Sequence, residues 1–197
     1  MSAVSERADV QALQSKFGDA VLKVKEYRGD TFVCVTRERL PEIVQFLKED
    51  PDLQYDYFSE CVGVDYSTWT HARDMDERFE VVYNLMSTKS YDRLFLKVGV
   101  NDGDSIPTLK DVFLGAEYPE REINDLFGVV FDGNEQTGRF LLPDDWVGYP
   151  LRKEYPLGGE DVVFDKNTLG PAVEDISVPH AGESFEGKTG SEDVSGR

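Results

Sequence analysis

The stretch FEVVYNLMSTKSYDRLFLKVGV, Phe79–Val100, decides the fold. Phe79, Val81, Tyr83 and Leu85 fall on every second position, and Leu94, Leu96, Val98 and Val100 do the same. That alternation turns one side of an extended chain toward a core and the other toward water. Two strands are therefore expected, Phe79–Met86 and Leu94–Val100, joined by a tight turn at Thr88–Tyr91. Working toward the N-terminus, the polar run Ser67–Arg78 reads as a loop, and the aromatic and β-branched Tyr55–Tyr66 as a third strand. Ahead of it, Pro41 suits a first helical turn, Ile43, Val44, Phe46 and Leu47 form one apolar face, and Pro51 ends the pattern. Val21–Tyr27 and Thr31–Val35 flank Arg28, Gly29 and Asp30, the turn chemistry of a hairpin. Ser5, Val10, Leu13, Phe17 and Gly18 mark a capped first helix. Toward the C-terminus, Asn101–Asp104 resembles a calcium loop but lacks its distal Glu, so it reads as a surface turn. Pro107 then breaks the strand pattern. The order helix, strand, strand, helix and three strands argues for an α+β domain: a single mixed or antiparallel sheet with helices on one face.

Composition narrows the function. With 197 residues, 40% of them hydrophobic, the chain can bury one core and carry extensions. Its formal charge of −18 disfavours nucleic acid and anionic lipid, which need clustered Lys and Arg. Acidity of this size suits a solvated surface, one that faces a basic neighbour, or halophilic solvation. Cys34, Cys61, His71 and His180 are scattered, whereas a metal or iron–sulfur site wants four ligands, commonly in close pairs. Cys34 sits in the apolar run Thr31–Val35 and Cys61 precedes Val62, so both are expected as buried, reduced thiols. No signal-peptide pattern opens the chain, and no run of about 18 apolar residues would span a membrane.

Tyr118–Gly128 reads as a short helix, with Pro119 in its first turn and Gly128 as its stop. Glu120 and Glu122 suit the positive end of the helix dipole, Arg121 and Asp125 are spaced to pair on its surface, and Ile123, Leu126 and Phe127 share a buried face. Glu120, Glu122 and Asp125 could also be read as general acid/base groups. With no His, Ser or Cys nucleophile nearby in sequence, the dipole reading is preferred. Phe140–Leu157 differs in kind, because Pro143, Pro150, Pro156 and Gly148 bar helix and central strand while large apolar side chains abound. Such an arm packs either on its own domain or across a partner, where Trp, Tyr and Arg anchor interfaces. The partner is the expectation, with Arg152 and Lys153 suited to its carboxylates or helix C-termini. Beyond Gly158, polar and acidic residues dominate, as in a tail that cannot bury enough to order itself.

The strings EREINDLFG (Glu120–Gly128), FDG (Phe131–Gly133) and RFLLPDDWVGYPLRKEYPL (Arg139–Leu157) resemble the 30-kDa, or C, subunit of NADH:quinone oxidoreductase, respiratory complex I. A weaker likeness runs upstream through Val64, Asp65, Tyr66 and the Phe79–Leu85 strand. The resemblance implies an α+β domain over 1–128 and an extended partner-binding arm over 129–157; it stops near Leu157, so the acidic, polar tail over 158–197 lies outside it. It implies a scaffold subunit of the peripheral arm, on the cytoplasmic or matrix side, that packs on the large 49-kDa, or D, subunit. No flavin, cluster or quinone is expected in this chain, and FMN and iron–sulfur clusters are expected in partner subunits. The motif and interface residues carried over are Glu120, Arg121, Glu122, Asp125, Leu126, Phe127, Gly128, Leu142, Pro143, Asp144, Asp145, Trp146, Gly148, Pro150, Leu151, Arg152 and Lys153. Two departures stand out: Asn134–Thr137 occupies the place of a usual His-Pro pair and basic stretch, and Tyr149 replaces a usual His. An equivalent subunit of a ferredoxin- or F420H2-fed dehydrogenase, or of a membrane-bound hydrogenase, would show the same pattern. A free-standing hydrolase built on the Glu120–Asp125 carboxylates is the reading of a different class.

Overall fold

The computed structural model describes residues 7–135 and 138–156. The expected Ser5 cap, Gln136 and Thr137, Leu157 and the tail 158–197 lie outside the described residues. The chain divides into two units at Lys153, and the fold occupies the first, Met1–Lys153.

Strands β1 (Val21–Tyr27), β2 (Asp30–Val35), β3 (Tyr57–Asp65), β4 (Phe79–Met86) and β5 (Arg93–Val100) form a mixed sheet in the order β1-β2-β5-β4-β3. Arg28 and Gly29 both take positive φ, which gives β1 and β2 the two-residue turn that matches strand twist. Helix α2 (Leu40–Glu49) carries the chain from β2 to the far edge at β3. The antiparallel run β3-β4-β5 then returns it to β2, which pairs parallel with β5.

Register divides the sheet into two faces. Val33 lies opposite Leu96, Leu96 opposite Tyr83, and Tyr83 opposite Cys61, so one face is a continuous apolar surface. Helix α1 (Ala8–Phe17), α2 and α3 (Glu117–Phe127) add Val10, Leu13, Ile43, Leu47, Ile123 and Phe127 to the same core. Gly63 marks the closest approach: a Cβ there would lie 3.0 Å from Ile123 and 3.1 Å from Phe127. The other face carries the stacked pair Phe32–Phe95 and a charged row, in which Asp74 of the loop 67–78 bridges Lys23, Lys25 and Lys97.

The expectation of one sheet is incomplete. Ser105–Pro107 (β6) and Val130–Asp132 (β7) pair as a second, two-stranded parallel sheet. Pro107 does not prevent this, because it closes a three-residue strand. The domain also does not end at residue 128: Val129 and Phe131 belong to the core, and the compact unit runs on to Lys153. Cys34 and Cys61 are free and buried as expected, and burial pushes both thiols up, Cys34 to about 11.

Candidate docking site of the third helix and the arm

Helix α3 follows a short 3-10 turn at Leu114–Ala116 and stops where Gly128 turns left-handed at φ 75°. It has no basic residue in its last turn, although a helix leaves its final carbonyls without donors and with partial negative charge. The Gly128 N–H reaches the Asn124 carbonyl at 2.8 Å. The other donors come from the arm. Arg139 Nη1 donates to the Asp125 carbonyl at 3.0 Å, Leu151 N–H to that of Leu126 at 3.1 Å, and Arg152 Nε to that of Phe127 at 2.6 Å.

The Asp125 side chain completes this junction. Its carboxylate accepts the N–H groups of Phe140, Leu141 and Leu142 at 3.2, 2.7 and 2.9 Å, and Arg139 Nη1 at 3.2 Å. Burial alone would raise its pKa, but the backbone donors and Arg139 outweigh burial and lower it. Arg139 in turn closes the arm into a loop, with Nη2 at 2.9 Å from the carbonyls of both Trp146 and Gly148.

Two more carboxylates hold the arm's end. Asp102, in the turn after β5, takes both terminal nitrogens of Arg152 at 2.9 and 2.8 Å. The Arg152 guanidinium also lies 5.3 Å from the Phe79 ring centre and 4.6 Å from that of Tyr149. Asp65, at the end of β3, accepts the Lys153 N–H at 3.0 Å as well as Arg78 and the Ser67 N–H. Burial opposes its ionisation, yet Arg78 and these amides hold its pKa at about 2.

Glu120 points the other way, into the domain. It is fully buried, and it accepts the Leu109 N–H at 2.8 Å, Asn134 Nδ2 at 2.9 Å and the Thr108 hydroxyl. It thereby ties α3 to the segments that follow β6 and β7. Burial raises its pKa, and the same donors restrain the rise. Asn134 also donates to the Glu117 carbonyl at 3.0 Å, so the first residue of the departing segment Asn134–Thr137 is built into the junction.

The expected surface pair of Arg121 with Asp125 does not form, because Arg139 and the arm's amides occupy the Asp125 carboxylate. Arg121 instead lies over the stacked rings of Tyr118 and Phe140. Glu120 is no surface dipole partner; Glu122 is exposed. Arg152 engages Asp102 and the C-terminus of α3, both of its own domain, whereas Lys153 meets Asp65 through its backbone N–H. Tyr149, the second departure, lies against both Arg139 and Arg152, 2.7 Å from where a Cβ on Gly128 would sit.

The arm thus packs back on its own domain through its backbone and its two arginines, and several side chains face outward. Val147 is 85% exposed, Leu141 57% and Leu151 47%, with Pro143, Asp144 and Asp145 exposed beside them. Leu142 is half-buried. Trp146 is also half-buried, and its buried indole nitrogen has no acceptor among the described residues. Arg139, Asp65, Asp102 and Arg78 were not foreseen as parts of this junction. Arg139 carried a signal, as the lone basic residue between Arg121 and Arg152.

An α+β domain whose last helix is capped by its own extended arm defines the structural class, and similarity to known proteins gives the family. The chain matches the model of the respiratory-chain NADH dehydrogenase 30 Kd subunit over residues 33–161, and it belongs to that family. It is 44% identical over 156 residues to the C subunit of NADH-quinone oxidoreductase from Roseiflexus castenholzii, covering 79% of this chain and 86% of the relative. It is 46% identical over 150 residues to the corresponding C subunit from Geobacter sulfurreducens, covering 76% of this chain and 88% of that one. Among solved structures it is similar to the trypsin-resistant fragment 1–134 of Nqo5, with a TM-score of 0.54, 33% identity, and coverage of 63% of this chain and 95% of that one. A chain of an archaeal membrane-bound sulfane sulfur reductase shares the fold at 24% identity and a TM-score of 0.59, covering 75% of this chain and 82% of that one.

Proposed function

We propose that this chain is a structural subunit of the peripheral arm of proton-translocating NADH:quinone oxidoreductase. It supports electron transfer from NADH to quinone by the assembled complex and carries no catalytic centre of its own. The observation that carries this reading is the match, along most of their length, to relatives that are C subunits of NADH-quinone oxidoreductase. In this reading the outward side of the arm, Leu141, Val147 and Leu151, seats on the large 49-kDa subunit. FMN and the iron–sulfur clusters reside in partner subunits, and the complex's peripheral arm stands on the cytoplasmic side, or the matrix side in an organelle.

The donor set supports a non-redox role. Cys34 and Cys61 lie on strands separated by β5 and β4, three strand spacings or roughly 14 Å apart, and register puts them on opposite faces of the sheet. Two such thiols cannot share a cluster. Two of the α3 carboxylates are engaged as well, since Glu120 and Asp125 accept fixed donors that hold segments together. No helix among the described residues is long and apolar enough to cross a membrane.

A second reading, the equivalent subunit of a related respiratory complex with another electron donor, is favoured by the fold shared with the sulfane sulfur reductase chain. Purification of the complex through this chain, followed by mass spectrometry of its partners, separates the two. An NADH-binding flavoprotein subunit and the 49-kDa subunit are expected in stoichiometric amounts. A complex without the flavoprotein subunit would overturn the first reading.

A further inference from the structure

We propose that Asp125 is a positioning residue that latches the arm in its docking shape before any partner binds. The inference rests on the reading of the arm as the docking surface, and it adds how that surface is made.

An isolated extended segment of Arg139–Lys153, with its prolines and exposed aliphatic side chains, would sample many backbone conformations, and a partner would have to order it on binding. The structure removes that requirement within one chain. Three consecutive amides, those of Phe140, Leu141 and Leu142, converge on one carboxylate oxygen of Asp125. Arg139 links the same carboxylate to the carbonyls of Trp146 and Gly148, which fixes the loop that displays Val147. The attachment runs through backbone amides, the two arginines and the Phe140 and Tyr149 rings, and it leaves the apolar side chains of Leu141 and Val147 facing outward. A segment held by its backbone and exposing its side chains is preorganised for binding.

The arrangement singles out Asp125 over its neighbours. Arg152 and Lys153 fasten the arm's far end through Asp102 and Asp65, on other elements, whereas Asp125 fixes the backbone at the start of the arm and, through Arg139, its middle. Glu has the charge but a longer reach, and Asn keeps one oxygen for the amides but has no charge and turns an NH2 donor toward Arg139. Neither substitution touches the core of the sheet.

Hydrogen exchange on the free full-length chain tests the latch. The amides of Phe140, Leu141 and Leu142 should exchange at least about tenfold more slowly than in the unfolded chain. In Asp125→Asn that protection should be lost, while the amides of β4 and β5 keep theirs. If only about a tenth of the variant molecules hold the arm docked, binding to the purified 49-kDa subunit weakens about tenfold, and Asp125→Glu should recover part of it. Unprotected amides 140–142 in the free wild-type chain would overturn the latch. Loss of protection in Asp125→Asn with unchanged affinity would uphold the latch and overturn the docking reading of the arm.

Discussion

A fully buried carboxylate such as Glu120 is stable only if its oxygens find donors, and here three donors from two separate segments meet it. Glu120→Gln keeps the shape but turns an amide group toward donors. That substitution should cost about 1–3 kcal/mol of stability, read as a lower denaturant midpoint at unchanged slope. An unchanged midpoint would mean that the network contributes nothing. The sequence pattern placed Glu120 in a first helical turn, where acidic residues suit the dipole, and that much is true of its backbone position. Its burial was not legible, because Leu109 and Asn134 are distant in sequence and become neighbours only when β6 and β7 pair. The same holds for Asp125. Helical spacing offers it Arg121, but Arg139 reaches it from beyond the helix and brings the three amides with it.

At the level of elements, the long strands and helices were readable from their apolar period: β4 and β5 begin and end within a residue of expectation. The pair β6–β7 was not, since three-residue strands show no period and a parallel pairing across more than twenty residues has no local signature. The arm is legible as extended and burying something, but its attachment runs through backbone amides and through two arginines whose partners lie on other elements, pairings that no local pattern encodes. That attachment has a pH signature. Asp65 has a folded pKa of about 2 against roughly 3.9 unfolded, a depressed value, so its contribution is present above the unfolded pKa and is lost as pH falls toward the folded one. Asp125 is shifted in the same direction. Glu120, shifted up, acts with opposite sign: its contribution is present at low pH and lost as pH rises through its folded pKa. Asp65→Asn should therefore lower stability at pH 7 by on the order of 2 kcal/mol and flatten the acid limb between about pH 4 and pH 2. Parallel acid limbs for wild type and variant would count against the Asp65 anchor.

For the molecule as a whole, the two halves of the family motif form one object. The helix Glu117–Phe127 presents bare carbonyls, and the arm Arg139–Lys153 supplies the donors and positive charge that they lack. The family, and with it the subunit role, was legible in the strings Glu120–Gly128 and Arg139–Leu157, while the reason for their joint presence became visible only in three dimensions. What is left outward is a small apolar set on the arm, and the account's central claim is that this set seats the chain in its complex. Val147 tests the claim most directly, because it is 85% exposed and its removal costs the free chain little. Val147→Asp should unfold within about 0.5 kcal/mol of wild type, yet recover at least about tenfold less 49-kDa subunit when the complex is purified through this chain. Full recovery of that subunit with the variant, at unchanged stability, would contradict the account.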